Sequence, residues 1–290
     1  MYTGTHVYRL GLTGYPLGHS LSPKIHAAAL EACGVEGLYE LYPIAQNDLY
    51  GLKQFLNKLR IGELHGLNVT IPHKQSVIEY LDELTPTAKA IGAVNTIYFR
   101  EGKLIGENTD APGFLADLKH FLANNQSKIE NRKSKIVNPK STIVLGAGGA
   151  ARAVVFALLN DGWQVTVGAR RIEQARQLAL SFPQYAVRTT QYNNLRLVAF
   201  DLLVNTTPLG TTPDVDSSPL PKDFSFPPHA VIYDLIYNPR ETRLVREARA
   251  KGLTATTGLG MLIEQAALAF EIWTGQNPPR ESLFRAVEMK

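Results

Sequence analysis

The sequence predicts an α/β protein of two domains. Its 290 residues are enough for about two domains of ordinary size. Short β-like runs alternate with helical runs in two separate stretches, and a polar, basic segment lies between the stretches. With 44% hydrophobic and 19% charged residues, the chain has the composition of a folded globular protein. We expect two α/β domains with a cleft between them.

The first stretch predicts a mostly parallel sheet. Its β-like runs are His6–Gly14, Tyr39–Ile44 and Leu64–Thr70, and its helical runs are Ser22–Cys33, Leu49–Lys58 and Gln75–Leu81. A β-hairpin is expected to follow, with strands at Val94–Phe99 and Lys103–Ile105. The three residues between them, Arg100, Glu101 and Gly102, form a short turn that contains glycine.

The basic segment from Asn124 to Lys140 has few apolar residues and no periodicity, so we expect a solvated excursion. It accounts for the whole net charge of +4, with one acidic residue, Glu130, and five basic ones: Lys128, Arg132, Lys133, Lys135 and Lys140. A nucleic-acid surface would need basic residues over one face with aromatic residues between them. We therefore expect no nucleic-acid partner.

Three features argue against a membrane or secreted protein. The longest apolar run, Ala153–Leu159, is far below the roughly 18 residues of a membrane span. Met1–Ser20 lacks the basic and apolar regions of a secretory signal. The single cysteine, Cys33, cannot form an intramolecular disulfide, which suits a reducing compartment. We expect a cytoplasmic protein, and the oligomeric state stays open, a homodimer included.

The second stretch begins with a dinucleotide-binding pattern. Ser141–Leu145 is a short strand, and the turn Gly146, Ala147, Gly148, Gly149 and Ala150 leads into a helical run. Small residues let the backbone approach a pyrophosphate, whose charge the N-terminus of the helix favours. This pattern predicts a doubly wound, Rossmann-type domain, although a tight structural turn is an alternative explanation.

The next strand, Trp163–Val167, indicates which dinucleotide would bind. An NAD site normally has an acidic residue after this strand, whereas the sequence continues with Ala169, Arg170 and Arg171. Because a guanidinium pairs well with a 2′-phosphate, the arginines favour NADP. Two solvated arginines at the start of a helix are the alternative.

Two later strands also end in loops that are candidates to line the dinucleotide site. Asp201–Val204 precedes a loop with Thr206, Thr207 and Pro208, and Ala230–Leu235 precedes Tyr237, Asn238 and Pro239. Ligands of open α/β sheets bind at the carboxyl ends of strands. Ordinary turn chemistry would also explain these loop residues.

Polar clusters in the first stretch are candidates for substrate binding. Ser22 precedes Pro23, which predicts a helix N-cap, and Ser20 with Ser22 at a helix start can also hold a carboxylate. Asn68 and Thr70 lie at the end of the third β-like run, and Lys74 follows it. Lys74 alone would also suit a solvated helix start. Two further clusters are Ala93–Thr96 and Asn108–Asp110.

The last long helical run carries one polar candidate, Gln265. At 100° per residue, Gln265 lies at the edge of an apolar face, and Glu264 and Glu271 point away from that face. The face consists of Leu262, Ala266, Ala269, Phe270 and Trp273.

Eight motifs, in the same order, resemble the shikimate dehydrogenase family. They are GYPLGHSLSPKIH, GLNVTIPHK, IGAVNT, ENTD, GAGGAAR, NTTPLG, YDLIYNP and GLGMLIEQA. The resemblance implies NADP-linked interconversion of 3-dehydroshikimate and shikimate. It also implies a discontinuous substrate domain, residues 1–109 with 258–290, and an NADP-binding domain of residues 110–257.

The same resemblance implies roles for individual residues. Lys74 and Asp110 would serve the reacting oxygen, and Ser20 and Ser22 the substrate carboxylate. The ring hydroxyls or the carboxylate would contact Asn68, Thr70, Asn95, Tyr237 and Gln265. The cofactor set would be Gly146, Ala147, Gly148, Gly149, Ala150, Ala169, Arg170, Arg171, Thr206, Thr207, Pro208, Leu235, Gly258 and Met261.

Two departures and two alternatives remain. Ala27 stands where the family commonly has asparagine, which we expect to alter packing only, and Ala111-Pro112 replaces a usual glycine and would stiffen a hinge. The scattered histidines offer no metal-ligand pair on one helix, so we expect no metal. The alternatives are a quinate/shikimate dehydrogenase that uses NAD or both substrates, and a non-catalytic NADP-binding regulator.

Overall fold

A computed structural model describes residues 7–130, 140–221 and 224–288. Its contacts divide the chain into a first unit, Met1–Gly113 with Ile263–Lys290, and a second unit, Phe114–Leu262. The sequence placed the corresponding boundaries a few residues earlier, at 109/110 and 257/258. His6 of the first expected strand, and Arg132, Lys133 and Lys135 of the basic segment, lie outside the described residues.

The first unit contains a six-stranded mixed sheet in the order β2-β1-β3-β5-β6-β4. Strand β1 is parallel to β2 and β3, β4 is parallel to β6, and β5 is antiparallel to β3 and β6. The strands are β1 Tyr8–Gly14, β2 Gly37–Pro43, β3 Gly66–Val69, β4 Glu83–Leu84, β5 Thr96–Arg100 and β6 Lys103–Glu107.

The helices of the first unit are α1 Ser22–Ala32, α2 Leu49–Arg60, α3 Pro86–Ile91 and α10 Arg280–Glu288, together with the start of α4 Asp110–Asn124 and most of α9 Leu259–Thr274. Helices α1, α2 and α3 pack on this sheet, and α10 packs against α1. Helix α2 has leucines at helical spacing, and Leu52, Leu56 and Leu59 form a core with strand residues such as Leu67. The helix predicted at Gln75–Leu81 is wrong in type, because the structure has a 3-10 helix at Ser76–Tyr80.

The β5–β6 hairpin confirms the prediction and shortens its turn. Arg100 pairs with Lys103, so only Glu101 and Gly102 form the turn. Both have positive φ, 52° and 77°, as a two-residue turn between right-twisted strands requires.

The second unit has the predicted doubly wound sheet. Its order β12-β11-β10-β7-β8-β9 is parallel throughout and corresponds to the Rossmann order 3-2-1-4-5-6. The strands are β7 Ser141–Leu145, β8 Gln164–Ala169, β9 Arg188–Gln191, β10 Leu202–Asn205, β11 Val231–Asp234 and β12 Thr254–Thr257. The helices are α5 Gln126–Glu130, α6 Gly149–Asn160, α7 Ile172–Leu180 and α8 Arg243–Ala250, with a 3-10 helix at Tyr192–Leu197.

The central strands of this unit are apolar on both faces, as expected for a parallel sheet covered by helices. Ile143, Leu203 and Ile232 from neighbouring strands form one core with Val245 of α8. No helix in the described part of the chain has the length and apolar character needed to cross a lipid bilayer.

The basic segment departs from the expected excursion in its first part. Helix α4 extends to Asn124, and α5 covers Gln126–Glu130, so the polar composition did not stop helix formation there. Gln and Lys are good helix formers, and a helix can continue beyond its packed part without apolar residues.

Candidate functional site

The first unit brings Lys74 and Asp110 together. Lys74 lies in the turn after β3, and Asp110 opens α4. The ammonium Nζ donates to Asp110 Oδ2 over 2.6 Å, and the side chains are only 15% and 6% exposed. The interpretation of Lys74 as a solvated helix-start residue is therefore wrong. This pair places a proton-carrying group beside a carboxylate that fixes its position.

Asn95, which directly precedes β5, holds the other oxygen of that carboxylate. Its Nδ2 donates to Asp110 Oδ1 at 3.0 Å and lies 3.2 Å from Gln265 Oε1. The backbone N–H of Thr109 donates to Asn95 Oδ1 at 2.8 Å. Because a backbone N–H can only donate, it sets the amide orientation and directs Nδ2 toward Asp110.

Asn68, at the end of β3, is buried behind Asn95. Its Nδ2 donates to the carbonyl oxygen of Asn95 at 3.1 Å, and its Oδ1 accepts from the hydroxyl of Tyr39 at 2.8 Å. The Tyr39 ring stacks on His26 with centroids 4.2 Å apart. Burial lowers the pKa of His26 to about 3, and the nearby Asn68 amide opposes this shift with a smaller effect. His26 is therefore a neutral ring at physiological pH.

Ser20 and Ser22 lie at the start of α1, but the predicted capping role is wrong. The residue at the N-cap position is Leu21, which forms no side-chain cap bond, and Ser22 is the first helical residue. Instead, Ser20 Oγ accepts from the backbone N–H of Ser22 at 3.2 Å. Ser20 thus closes the turn that leads into the helix.

The remaining first-unit candidates are Thr70 and Gln265. Thr70 is half-buried just after β3, and its N–H donates to the Thr13 carbonyl. Gln265 is buried on α9, and the burial of Ile263 and Ala267 extends the apolar face on the side away from it, so Gln265 lies near one edge of that face as predicted. An added Cβ at Gly113 would lie 2.7 Å from the Gln265 backbone nitrogen, so α4 and α9 touch there.

The structure shows the environment of the two positions, Ala27 and Ala111-Pro112, at which the sequence departs from the family's pattern. Ala27 is exposed on α1, so the expected effect on packing is wrong. Ala111 is buried in the first turn of α4, and its N–H donates to Asn108 Oδ1 at 3.1 Å. Pro112 in the same first turn removes no helical hydrogen bond, because the first N–H groups of a helix have no partner within it.

The glycine turn of the second unit lies at the carboxyl ends of β7 and β10. Gly146 has φ 112°, and an added Cβ there would lie 2.5 Å from Thr206 Oγ1, so only glycine fits. Gly148 occupies the N-cap position of α6 without a side-chain cap bond, and an added Cβ there would meet nothing within 4 Å. Ala147, Gly149 and Ala150 complete the half-buried turn. The N-terminus of α6 is thus open to an anion.

Ala169 ends β8 buried, and Arg170 and Arg171 follow it with exposed side chains. Their charge is accessible to a ligand. Burial raises the pKa of the neighbouring Tyr192 phenol, and the positive charge of Arg170 opposes that shift. These surroundings, with the open N-terminus of α6, fit a dinucleotide that carries a 2′-phosphate.

Four further second-unit candidates are Leu235, Tyr237, Gly258 and Met261. Gly258 N–H donates to the Ile236 carbonyl, and an added Cβ on Gly258 would collide with the Leu235 carbonyl oxygen. Met261 is buried in the first turn of α9. Tyr237 is half-buried in the loop after β11, where burial raises the pKa of its phenol.

Sequence reasoning missed Tyr39 and gave no individual role to Thr96 and Thr109, although both threonines lie in predicted clusters; all three bond to the predicted amides. Thr109 lies within the ENTD motif, so its position between Asn108 and Asp110 was the available signal. Tyr39 gave no signal beyond its place in a strand. No three or more His, Cys, Asp or Glu side chains in the described ranges are grouped so that they could hold a metal ion.

Family models match three parts of the chain. The shikimate dehydrogenase substrate binding domain matches residues 12–97, and shikimate / quinate 5-dehydrogenase matches residues 128–217. The shikimate 5'-dehydrogenase C-terminal domain matches residues 258–288.

Relatives match almost the full length. A shikimate dehydrogenase (NADP(+)) of Thermus thermophilus is 43% identical over 271 residues, 93% of this chain and 94% of the relative. One of Carboxydothermus hydrogenoformans is 41% identical over 286 residues, 96% of this chain and 95% of the relative.

Solved structures agree with these relatives. A shikimate dehydrogenase in complex with NADP+ has a TM-score of 0.87 at 35% identity and covers 97% of this chain and 95% of its own. The Thermus thermophilus enzyme in complex with NADP(H) and shikimate has a TM-score of 0.82 at 41% identity, with 97% and 98% covered. The chain belongs to the shikimate dehydrogenase family.

Proposed function

We propose that this chain catalyses the reversible, NADP-linked reduction of 3-dehydroshikimate to shikimate. The observation that carries the proposal is the Lys74–Asp110 pair, buried and oriented by Asn95, in a chain of this family. The family relatives described above are NADP-dependent shikimate dehydrogenases. The enzyme is therefore an oxidoreductase that acts on a secondary alcohol.

The buried pair supplies the proton chemistry of this reaction. Bound NADP would supply or accept the hydride. In the reducing direction, Lys74 Nζ donates a proton to the substrate oxygen as negative charge develops on it, and in the oxidising direction it receives that proton. Asp110 accepts from Lys74 through one oxygen only, so the ammonium keeps two other N–H directions for the substrate.

Binding is assigned to the remaining polar groups. Ser20 and Ser22, at the start of α1, would hold the substrate carboxylate. The ring hydroxyls would be met by side chains that donate and accept without net charge: Asn68, Thr70, Asn95, Tyr237 and Gln265. Residues 1–109 with 258–290 would form the substrate domain, and residues 110–257 the NADP-binding domain.

The cofactor residues divide by chemistry. The N–H groups of Gly148 and Gly149 at the open start of α6 suit the pyrophosphate, with Gly146, Ala147 and Ala150 completing the turn. Arg170, with Ala169 and Arg171, suits the 2′-phosphate. The other candidates are Thr206, Thr207, Pro208, Leu235, Gly258 and Met261.

A panel assay tests the reaction and its alternatives. The purified chain should oxidise shikimate with NADP much faster than with NAD and much faster than quinate. One structural neighbour, 29% identical, is a 5-ketofructose reductase of a Gluconobacter strain, so reduction of 5-ketofructose belongs in the panel. Dominant activity on another substrate would reject the proposal, and NADP binding without any turnover would favour the regulator.

The Lys74→Ala variant tests the proton-transfer assignment. We expect kcat to fall by about a hundredfold or more, with shikimate affinity changed modestly, because an acid/base group acts chiefly in the transition state. Lys58→Ala is the matched control, since it removes an exposed Lys–Glu pair of the same unit. A kcat within threefold of the parent would exclude general acid/base catalysis by Lys74.

We also propose a cytoplasmic location, a small-molecule substrate and no nucleic-acid partner. The single cysteine suits a reducing compartment. Light scattering would show whether the protein is a monomer or the homodimer that the sequence left open.

A further inference from the structure

Three polar side chains at the ends of β10 and β11 are completely buried. Asn205 ends β10, Asp234 ends β11, and Thr242 precedes α8; each is 0% exposed. Asn205 and Asp234 are direct neighbours across the two parallel strands. A buried carboxylate is unfavourable unless donors surround it, so this cluster needs a physical explanation.

Donors approach both oxygens of Asp234. Its Oδ1 accepts from Asn205 Nδ2 at 2.9 Å and from the Ile236 backbone N–H at 3.2 Å. Its Oδ2 accepts from the Thr242 hydroxyl at 2.7 Å. Burial nevertheless raises the pKa of Asp234 to about 6, against the lowering effect of these bonds. At neutral pH the buried carboxylate is ionised, and its ionisation lowers the free energy of unfolding.

Asp234 determines which way the Asn205 amide faces. Because the carboxylate takes the Nδ2 side, Asn205 Oδ1 points to the loop that follows β10. There it accepts from the backbone N–H of Thr207 at 3.0 Å and from the Thr207 hydroxyl at 2.7 Å. The preceding residue, Thr206, donates its N–H and its hydroxyl to the Leu145 carbonyl at 2.9 and 2.6 Å.

Two loops assigned to the cofactor therefore depend on one carboxylate. The Thr206–Pro208 loop is held through Asn205, and the loop after β11 is held by the bond from Ile236 N–H. The Leu235 N–H, between the two, donates to the Asn205 carbonyl at 2.9 Å. Loss of the carboxylate would let the Asn205 amide turn and would remove these side-chain bonds from both loops, while the backbone bonds of Thr206 and Leu235 would remain.

We propose that Asp234 is a positioning residue for the NADP site, acting through Asn205 on Thr207 and directly on the loop after β11 through the Ile236 N–H. The proposal rests on the proposed function, since it takes these loops to contact NADP. It assigns Asp234 to cofactor affinity and not to the chemical step. Asp234 itself touches neither substrate nor cofactor.

The same unit offers a matched control, Asp201. This residue is also buried. It directly precedes β10 and therefore lies at the amino end of the strand, whereas Asn205 lies at its carboxyl end. Its Oδ2 accepts from the N–H and the hydroxyl of Ser141, both at 2.8 Å. Asp201 thus connects β10 to β7 as Asp234 connects β10 to β11, but far from the cofactor loops. Both alanine variants should lose stability, and only one should lose cofactor affinity.

The experiment compares Asp234→Ala, Asp234→Asn and Asp201→Ala. It measures the Kd of NADP by calorimetry, the two KM values, kcat and the ligand-free Tm. We expect Asp234→Ala to raise the Kd and KM of NADP at least tenfold, with a smaller rise in the shikimate KM, because Tyr237 of the loop after β11 is assigned to the substrate. Asp234→Asn should recover most of this affinity, because its oxygen can still accept from Asn205 and its amide can donate to Thr242. Asp201→Ala should lower the Tm and leave the Kd of NADP within twofold.

Two results would overturn the proposal: an unchanged Kd in Asp234→Ala, or an equal rise in Asp201→Ala, which would indicate general loosening. Asn205→Ala replaces the alanine variant if that fails to fold, because it removes the side chain that connects Asp234 to Thr207. An unchanged Kd in Asn205→Ala would overturn the proposal equally. A parent that binds NADP but does not oxidise shikimate would refute the proposed function alone, since the Kd comparison still holds. A parent that does not bind NADP would refute both.

Discussion

Asp110 has two carboxylate oxygens, and each has a different partner. Oδ2 accepts from Lys74, and Oδ1 accepts from Asn95. This division prevents the carboxylate from turning, so Lys74 is held in one direction. Sequence reasoning could name Lys74, Asn95 and Asp110 because each lies in a motif that resembles the family. It could not find Tyr39, which bonds to Asn68 from a distant strand, because no local pattern records such a contact.

At the same scale, Arg170→Ala should alter cofactor choice. We expect KM for NADP to rise far more than KM for NAD, since only NADP carries the 2′-phosphate that a guanidinium can pair with. Arg176→Ala is the control, because it removes an exposed arginine of the following helix. Steady-state kinetics with both cofactors measures the effect, and equal losses for both would point to Arg171 instead.

The buried Asp234 predicts a pH dependence of stability. Burial raises its pKa from the ordinary 3.8 to about 6 in the folded state, so between these pH values the folded state binds the extra proton. Stability contributed by Asp234 is therefore present at low pH and is lost as the pH rises through this window. Relative to Asp234→Asn, the parent should lose up to about 3 kcal/mol of unfolding free energy between pH 4 and pH 7.

Urea unfolding of the parent and Asp234→Asn at several pH values measures this difference. Groups common to both proteins, such as the buried His26 whose lowered pKa acts in the opposite direction, cancel in the comparison. A parent that instead loses stability relative to Asp234→Asn as the pH falls would contradict the prediction, because it would show that folding lowers the pKa of Asp234.

At the scale of elements, the parallel strands and the glycine turn were predictable because their signals are local. Short apolar runs followed by Gly146–Gly149 specify strand, turn and helix within a few residues. The 3-10 helix at Ser76–Tyr80 was not predictable as such, since its spacing of apolar residues also fits an α-helix. The start of α1 misled in the same way, because Ser22 before Pro23 fits a cap that Leu21 in fact occupies.

The two serines at that start should have separable effects. If both hold the substrate carboxylate, Ser20→Ala and Ser22→Ala should each weaken shikimate binding, by roughly 1 to 3 kcal/mol for a hydrogen bond to a charged group. Ser20→Ala should also lower the ligand-free stability by about 1 kcal/mol, because Ser20 accepts from the Ser22 N–H. Ser22→Ala should leave that stability nearly unchanged, since Ser22 forms no cap.

Ligand-free Tm and the shikimate Kd, measured side by side, distinguish these effects. A Kd that is unchanged in both variants would remove the serines from the substrate site. A stability loss confined to Ser22→Ala would favour the capping role that the sequence suggested.

At the scale of the whole molecule, the chain changes unit inside helices. The change after Gly113 lies within α4, and the change after Leu262 lies within α9. Two domains could be predicted from the repeated alternation, but helices that continue through the changes leave no break in the hydrophobic pattern. The boundaries set by such helices therefore depend on tertiary contacts that a sequence does not display.

These two helices predict cooperative unfolding. If one unit unfolded alone, α4 and α9 would each end at the unit boundary. Each new helix end would leave up to four backbone groups without helical partners. We therefore expect a single calorimetric transition, with equal calorimetric and van't Hoff enthalpies. NADP at 100 times its Kd should stabilise the folded protein by about 2.7 kcal/mol and should move the whole transition upward. Two resolved transitions, of which NADP shifts only one, would show instead that the units unfold independently in spite of the shared helices.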